Sequence, residues 1–516
     1  MEKSLFTTSL QSFLSVFFAI SLVALCVCCS KDEVEPIQTS SSEGEFVPYD
    51  SVYNASYNLY VIDNDTTSYN LQDYDSPLTS EEKKVCGSLN EYAVKLLADY
   101  SGTNSENTIL SPFSASMLYS LMANFTDEKK SDNAFKESMG IASANNKDIN
   151  SFFRKYLNKK YQPSKSDTNE GQLSFDSHLW MNKKSAVYKS FLSTTKYYGF
   201  GVKGVDLEQE SSIDAINNFV NAKIGSKEVF INKSSIEKTK PLVTSSMTFK
   251  GEWEEKFYVD SAKTNLFENL NGSKTLCKVL RSTRKGRYSS FNTYDMIEIP
   301  YKGGMYSMFI VLPHTADGLS GSLTELNEQG AVRCMDLVSD TTRTYHGEYL
   351  IPRDTITNYG TYTVVDTLIT DTIFDIRIPK FKLCSSTGLN PKNIAGNSAT
   401  KLMYQTNLPK VSPNGYSLSN VFQSCCFEIN EQSTSASSDG SITIIGALTG
   451  NPSIEHNYSV VSGQLEETVE ERIPKGRKIK DTVVVPFHVA HPFAVFIREN
   501  EIGTIPFACS IKTLNF

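Results

Sequence analysis

Few residues in this 516-residue chain are spaced for chemistry of their own. His488 and His491 stand three apart in a strand-like stretch. Side chains alternate between faces along a strand, so the two rings point opposite ways and make no metal pair. Gly272-Ser273-Lys274-Thr275 has the end of a phosphate-binding loop without its upstream glycine, and neither GxSxG nor HExxH occurs. Three of the 10 cysteines, Cys26, Cys28 and Cys29, sit together. Cys86, Cys277, Cys334, Cys384, Cys425, Cys426 and Cys509 are scattered, odd in number and without CxxC spacing. They read as mostly buried free thiols rather than a disulfide framework or a zinc site. No metal and no cofactor is expected, and no catalytic constellation. A catalytic role for the chain is unsupported by these residues.

The composition allows one large domain or two to three ordinary ones, with 40% hydrophobic and 21% charged residues. The net charge of -8, with no basic domain, gives no electrostatic reason to expect nucleic acid. Met1 to Cys29 carries Lys3, then an apolar run from Phe13, and Ser30-Lys31-Asp32-Glu33 follows. A short apolar run of this kind reads as a secretory signal. Its ending is similar to a bacterial lipoprotein signal, with Leu25 to Cys29 as an approximate lipobox. Cys29 is the expected acylated residue and Cys28 the alternative. Cys29-Ser30-Lys31-Asp32-Glu33 resembles the export tag of surface lipoproteins in the Bacteroidetes. That resemblance implies a secreted, lipid-anchored protein on the outer membrane or cell surface of a Gram-negative bacterium. Acyl chains would hold it there without a spanning helix.

The elements that follow fall into an ordered series. Residues 30–77 are rich in Ser, Asp, Asn, Glu and Tyr without sustained period and read as a disordered tether. Thr79 and Glu82 form a capping-box pattern. Val85, Leu89, Tyr92, Ala93, Leu96, Leu97 and Tyr100 then recur at helical spacing, as a core-facing stripe. Asn107 through Ser116 reads as a strand, a proline turn and a helix start. Thr248-Phe249-Lys250-Gly251-Glu252-Trp253 reads as a strand ending in a bend. Ile297 to Pro300 and Ser307 to Pro313 read as a hairpin about Gly303-Gly304.

Taken in order, these phrases resemble the serpin family. The similarity rests on Asn107-Thr108-Ile109-Leu110-Ser111-Pro112-Phe113-Ser114, Val205-Asp206-Leu207, Ile216 to Val220, the Phe249-Lys250-Gly251-Glu252-Trp253 phrase and Ile376 to Lys382. It also rests on Glu428-Ile429-Asn430-Glu431 and on His491-Pro492-Phe493-Ala494-Val495-Phe496. Phe219 replaces the family's tryptophan. The resemblance implies an α+β fold over residues 78–516. Its parts are a large mixed central sheet, two smaller sheets, about eight to nine helices and an exposed reactive loop. It implies a shutter under the sheet, with Ser111 and Ser114 at the family's serines and Ser245 and Gln423 where asparagine and histidine are frequent. Two segments depart. Residues 339–371, rich in Thr, Tyr and Asp, look like an inserted loop or hairpin, and residues 388–418 lack the family's helix.

The implied function is suicide inhibition of a serine endopeptidase. A reactive loop is cut and enters the main sheet as a new strand. Such a strand points alternate side chains into the core, so one parity must be small or apolar. From Ser433 the even positions are Thr434, Ala436, Ser438, Gly440, Ile442 and Ile444, and the only charge in the stretch, Asp439, lies on the odd face. Glu431, Ser433, Thr434, Ala436, Ser438 and Gly440 are the expected hinge. Family spacing from Glu431 puts the scissile bond at Ala447-Leu448, with Ile445 and Leu448 as neighbouring candidates for the residue before the cut. Alanine there suits an elastase-like or subtilisin-like target. Ser438 and Gly440 oppose insertion by about 1–3 and about 0.5–1 kcal/mol. Residues 431–483 form a long reactive-loop region whose acidic cluster (Glu466, Glu467, Glu470, Glu471) and basic cluster (Arg472, Lys475, Arg477, Lys478, Lys480) read as a solvated surface loop. A second bait for trypsin-like enzymes or a docking exosite is the other reading of that segment. The alternatives for the whole are a non-inhibitory serpin-fold surface binding module, or inhibition of a cysteine protease by the same loop.

Overall fold

A computed structural model describes residues 46–48, 53–54, 59–62 and 76–514 except 104, 127–131, 162–170, 183–185, 225–230, 232–241, 261–264, 340–345, 358–359, 389–406, 413–416, 418–421, 432 and 438–477. Three short strands come first: β1 (Phe46–Pro48), β2 (Tyr53–Asn54) and β3 (Leu59–Ile62). Then come α1 (Ser80–Thr103), β4 (Thr108–Leu110), α2 (Pro112–Ala123), α3 (Asp132–Ser138) and α4 (Asn146–Tyr161). The middle of the chain gives β5 (Gln172–Asn182), β6 (Ala186–Tyr188), α5 (Lys189–Tyr197), β7 (Phe200–Val205), α6 (Glu210–Ile224) and β8 (Leu242–Glu252). Seven strands follow: β9 (Tyr258–Asp260), β10 (Leu266–Glu268), β11 (Lys274–Leu276), β12 (Val279–Arg284), β13 (Arg287–Ser290), β14 (Tyr294–Pro300) and β15 (Tyr306–Pro313). After α7 (Leu319–Gln329) and α8 (Ala331–Ser339) the elements among the described residues are all strands: β16 (His346–Thr357), β17 (Gly360–Pro379), β18 (Phe381–Gly388), β19 (Phe422–Ile429), β20 (Ser433–Ser437), β21 (Lys478–His488), β22 (Phe493–Glu499) and β23 (Phe507–Ile511).

The local rules hold at the first helix. Thr79 Oγ1 accepts from the Glu82 amide at 3.2 Å, and the Glu82 carboxylate accepts from the Thr79 amide at 2.7 Å, which is the capping box. All seven stripe residues of α1 are buried. Glu82 itself is buried and pairs with Lys155 of α4 at 2.7 Å. The hairpin of β14 and β15 forms as expected, and its turn holds Gly303 and Gly304 at φ 82° and 69°, a region that excludes most side chains.

Three larger sheets carry the fold. The main one runs β18-β19-β20-β8-β5-β7-β3-β2, antiparallel throughout except where β5 and β7 run parallel. A six-stranded antiparallel sheet runs β13-β14-β15-β22-β23-β4. In the third sheet, β16-β17-β12-β9, strand β21 lies parallel to β17. The helix α2 is wholly buried among these layers, with Pro112 opening it where no amide donor is needed.

The segment 339–371 resolves into the hairpin of β16 and β17, in register from His346↔Asp371 to Thr357↔Gly360. The range 431–483, read from sequence as loop, contains ordered strand at both ends. Ser433–Ser437 is β20, and Lys478 already begins β21, whose Val483-Val484-Val485 run suits a strand and whose first five residues pair with the hairpin arm Thr367–Asp371. Among the described residues no group of His, Cys, Asp or Glu is arranged to hold a metal. His488 bonds Asp375 at 3.0 Å, and His491 sits half-buried against the Pro492 carbonyl.

Candidate functional site

The site is a seam in the main sheet. β19 and β8 form its walls, and β20 lies between them, antiparallel to both. The walls present buried side chains at alternate positions: Cys425, Phe427 and Ile429 on β19, Met247 and Phe249 on β8. The register sets Ala436 opposite Phe427 and Phe249, and Thr434 opposite Ile429 and Gly251. The odd positions fall opposite the outward residues: Ser433 by Glu252, Ser435 by Lys250 and Glu428, Ser437 by Thr248. Even and odd thus divide between buried and outward rows. At Gly251 a Cβ would stand 2.7 Å from both Phe249 Cζ and Tyr301 Cδ1, so the wall is too tight for a side chain there.

The segment is held at its root. Lys380 Nζ donates to the Glu431 carboxylate at 2.6 Å, and the Phe257 amide donates to the Glu431 carbonyl at 3.0 Å. Burial pushes the Glu431 carboxyl up, but Lys380, its own backbone amide and the charge of Lys278 together outweigh it and hold the group below the usual carboxylate range. One residue earlier, the Trp253 indole donates to the Asn430 carbonyl at 3.0 Å while stacking on Tyr301 at 4.7 Å. The polypeptide thus enters the seam from a fixed point.

Beneath the sheet, Ser111, Ser114 and Gln423 form one network. Gln423 Oε1 accepts from the Ser111 amide at 2.8 Å, and its Nε2 donates to the Ser111 carbonyl at 2.8 Å and to Ser114 Oγ at 2.7 Å. Ser111 Oγ reaches Met247 Sδ at 3.2 Å. Gln423 belongs to β19 and Met247 to β8, so the start of α2 straddles the seam. Ser245 hydrogen-bonds Ser177 on the neighbouring β5 at 2.8 Å. Ser438, Gly440, Ala447, Leu448 and Cys29 lie outside the described residues. Sequence reading missed Lys380, Phe257 and Met247. Lys380 stands in the quoted Ile376–Lys382 phrase, but nothing local announces that it reaches across to Glu431.

A family profile described as serpin (serine protease inhibitor) matches residues 87–512. This chain is a serpin. It is 28% identical over 251 residues to an uncharacterized serpin-like protein of Methanosarcina acetivorans, covering 48% of this chain and 56% of that one. It is 26% identical over 322 residues to Serpin-Z7 of Hordeum vulgare, covering 60% and 65%. These matches thus span less than two thirds of either relative. Iripin-3 of Ixodes ricinus is 22% identical over 447 residues, covering 84% of this chain and 96% of that one. Among solved structures, the thermophilic serpin tengpin in its native state superposes with TM-score 0.59 at 17% identity, covering 85% of this chain and 96% of the other. A cleaved 42Da serpin superposes with TM-score 0.57 at 16% identity, covering 85% of this chain and all of that one. At such identities the likeness establishes the fold: mixed α+β, with several sheets and, among the described residues, eight helices. Serpins are for the most part protease inhibitors rather than enzymes, and some do not inhibit.

Proposed function

We propose that this serpin is a single-use inhibitor of an elastase-like or subtilisin-like serine endopeptidase. The protease supplies the nucleophile. This chain supplies the carbonyl of Ala447 and a strand that continues β20 into the seam. The observation that carries the reading is the register of β20, whose even positions Thr434 and Ala436 meet the buried rows of β19 and β8. Continued past Ser437, the same parity would bring Ser438, Gly440, Ile442 and Ile444 inward and leave Asp439 outside. In this role Glu431, Ser433, Thr434, Ala436, Ser438 and Gly440 act as the hinge, and Ser111, Ser114, Ser245 and Gln423 as the shutter. Acylation at Cys29 would hold the protein on the outer surface of a Gram-negative cell.

Thermal unfolding of intact and loop-cleaved protein tests the reading. Cleavage followed by insertion adds a central strand, so the cleaved form should melt far above the intact form. An unchanged Tm after clean cleavage would instead favour a surface binding module that no longer inhibits. Ser438 and Gly440, which the same parity would carry inward, are the residues that favour that second reading. For the anchor, metabolic labelling with a fatty acid should mark the wild type and not Cys29→Ser. Equal labelling of Cys29→Ser would move the acylation to Cys28.

A further inference from the structure

In the main sheet, Cys384 of β18 and Cys426 of β19 are direct partners in an antiparallel ladder. Directly opposed residues have Cα atoms about 4.5–5.5 Å apart, within the span that a disulfide bridges without backbone movement. Alternation along the strands puts this pair on the row of Lys382 and Glu428, two steps away on each strand. Lys382 and Glu428 form an ion pair at 3.9 Å, the lysine side chain 42% and the glutamate 16% exposed, so that row lies on the outward face and is only partly open to solvent. The row one step away, with Leu383 opposite Phe427, faces the core, where Phe427 is fully buried. Cys425 belongs to that buried row and faces Ser385.

The other described cysteines offer no such pair. Cys86, Cys277, Cys334 and Cys509 are buried free thiols. Burial pushes the Cys86 thiol up to about 12 and raises those of Cys277, Cys334 and Cys509 as well, so these are poor nucleophiles at neutral pH.

We propose that Cys384 and Cys426 form a redox lock across β18 and β19. The chemistry is exchange with a disulfide donor, such as an oxidised dithiol protein or oxidised glutathione. The thiolate of one cysteine attacks the donor, giving a mixed disulfide and releasing one donor thiol. The second cysteine's thiolate then displaces the other donor thiol. Two protein thiols are oxidised to one S–S bond, the donor S–S bond is reduced to two thiols, and the protons pass to the leaving sulfurs.

The position gives the bond a mechanical meaning. The other side of Cys426 pairs with Ser437, the last residue of β20. A strand entering the main sheet must part β19 from β8, as β20 does. Fastening β19 to β18 makes the two strands move as one and confines any parting to the β19–β8 seam. The bond also closes a loop of about 40 residues, a length at which a cross-link restricts the unfolded chain appreciably. Neither the bond nor its effect on stability depends on the protein being an inhibitor.

The test uses the folded full-length protein, equilibrated with oxidised glutathione or with excess dithiothreitol, alkylated and digested. Mass spectrometry should find one dominant cross-linked peptide pair containing Cys384 and Cys426, and the free-thiol count should fall by two. Cys384→Ser and Cys426→Ser should each abolish that loss. The oxidised wild type should melt several degrees above the reduced form, and either serine variant should show no such difference. Full alkylation of both cysteines after oxidant treatment of folded protein would overturn the assignment, as would a dominant bond from Cys384 to Cys425. Equal Tm for oxidised and reduced wild type would overturn the lock.

Discussion

Replacing Gln423 by leucine is a demanding test of the network beneath the sheet. Gln423 is 3% exposed and makes three hydrogen bonds of 2.7–2.8 Å to Ser111 and Ser114. Leucine is close in volume, so no large cavity confuses the outcome. The Ser111 carbonyl keeps Ser114 Oγ as donor at 3.1 Å, and Ser114 therefore still has a partner. The Ser111 amide loses its Gln423 acceptor, and Ser111 is fully buried. An orphaned buried donor costs about 1–3 kcal/mol and each lost bond about 1 kcal/mol, partly offset by leaving one amide fewer to desolvate. The expected loss is about 2–4 kcal/mol, read as a lower denaturation midpoint at unchanged slope in urea. Gln423→Glu sharpens the test. A protonated glutamic acid can donate to the Ser111 carbonyl as the amide does, whereas a carboxylate there faces that carbonyl with no hydrogen. Its folded pKa must therefore exceed its unfolded one. The stability of Gln423→Glu should be fullest at pH below the unfolded value and be lost as pH rises through the folded one. A loss under about 0.5 kcal/mol in Gln423→Leu, or a pH profile of Gln423→Glu parallel to wild type, would refute the network's role.

Three further predictions follow from named contacts. In Glu82, burial raises the carboxyl pKa, but the donors Lys155, Ser151 and Thr79 outweigh it and set the folded value below the ordinary one. Its contribution is therefore complete above the unfolded pKa and fades as pH falls through the lowered folded value. Glu82→Gln should cost about 3 kcal/mol at pH 7, in chemical denaturation, and the gap to wild type should narrow as pH falls from the unfolded carboxyl value through the lowered folded one. Gly251→Ala, which sets a Cβ against Phe249 and Tyr301, should lower stability by about 1–3 kcal/mol in the same assay. Thr434→Arg puts a charge opposite Ile429 and Gly251 in the seam, and should turn an inhibitor into a substrate, with cleavage retained and trapped protease lost. Undiminished trapping by Thr434→Arg would sink the insertion parity.

Much of this was legible in the residues, because short-range rules set it. Thr79 and Glu82 announce the cap of α1, Gly303-Gly304 the turn of β14 and β15, and the 3.6-residue stripe of α1 its buried face. The even-odd division at Thr434 and Ala436 could be read because strand parity depends on the sequence alone, and the register with Phe427 and Phe249 agrees with it. What escaped depends on which strands lie side by side. Lys380 and Glu431 are far apart in the chain and meet because β18 begins beside the end of β19, just before β20 starts. Cys384 and Cys426 read as unrelated thiols until the β18–β19 register opposes them. The extension of β21 back to Lys478 required the partner arm of β17, which a stretch rich in Lys and Arg does not suggest. Sequence periodicity specifies a face, and only tertiary pairing specifies the neighbour.

Incubation of the protein with elastase, subtilisin and trypsin, followed by denaturing gels and N-terminal sequencing of the released fragment, distinguishes a trap from a mere substrate. A single-use inhibitor should give a band at the summed mass with elastase or subtilisin that survives denaturant, and a released fragment that begins at Leu448. Complete cleavage near Leu448 with no covalent band would contradict that role, because the strand continuing β20 would then fail to enter the seam before the protease finishes its cut.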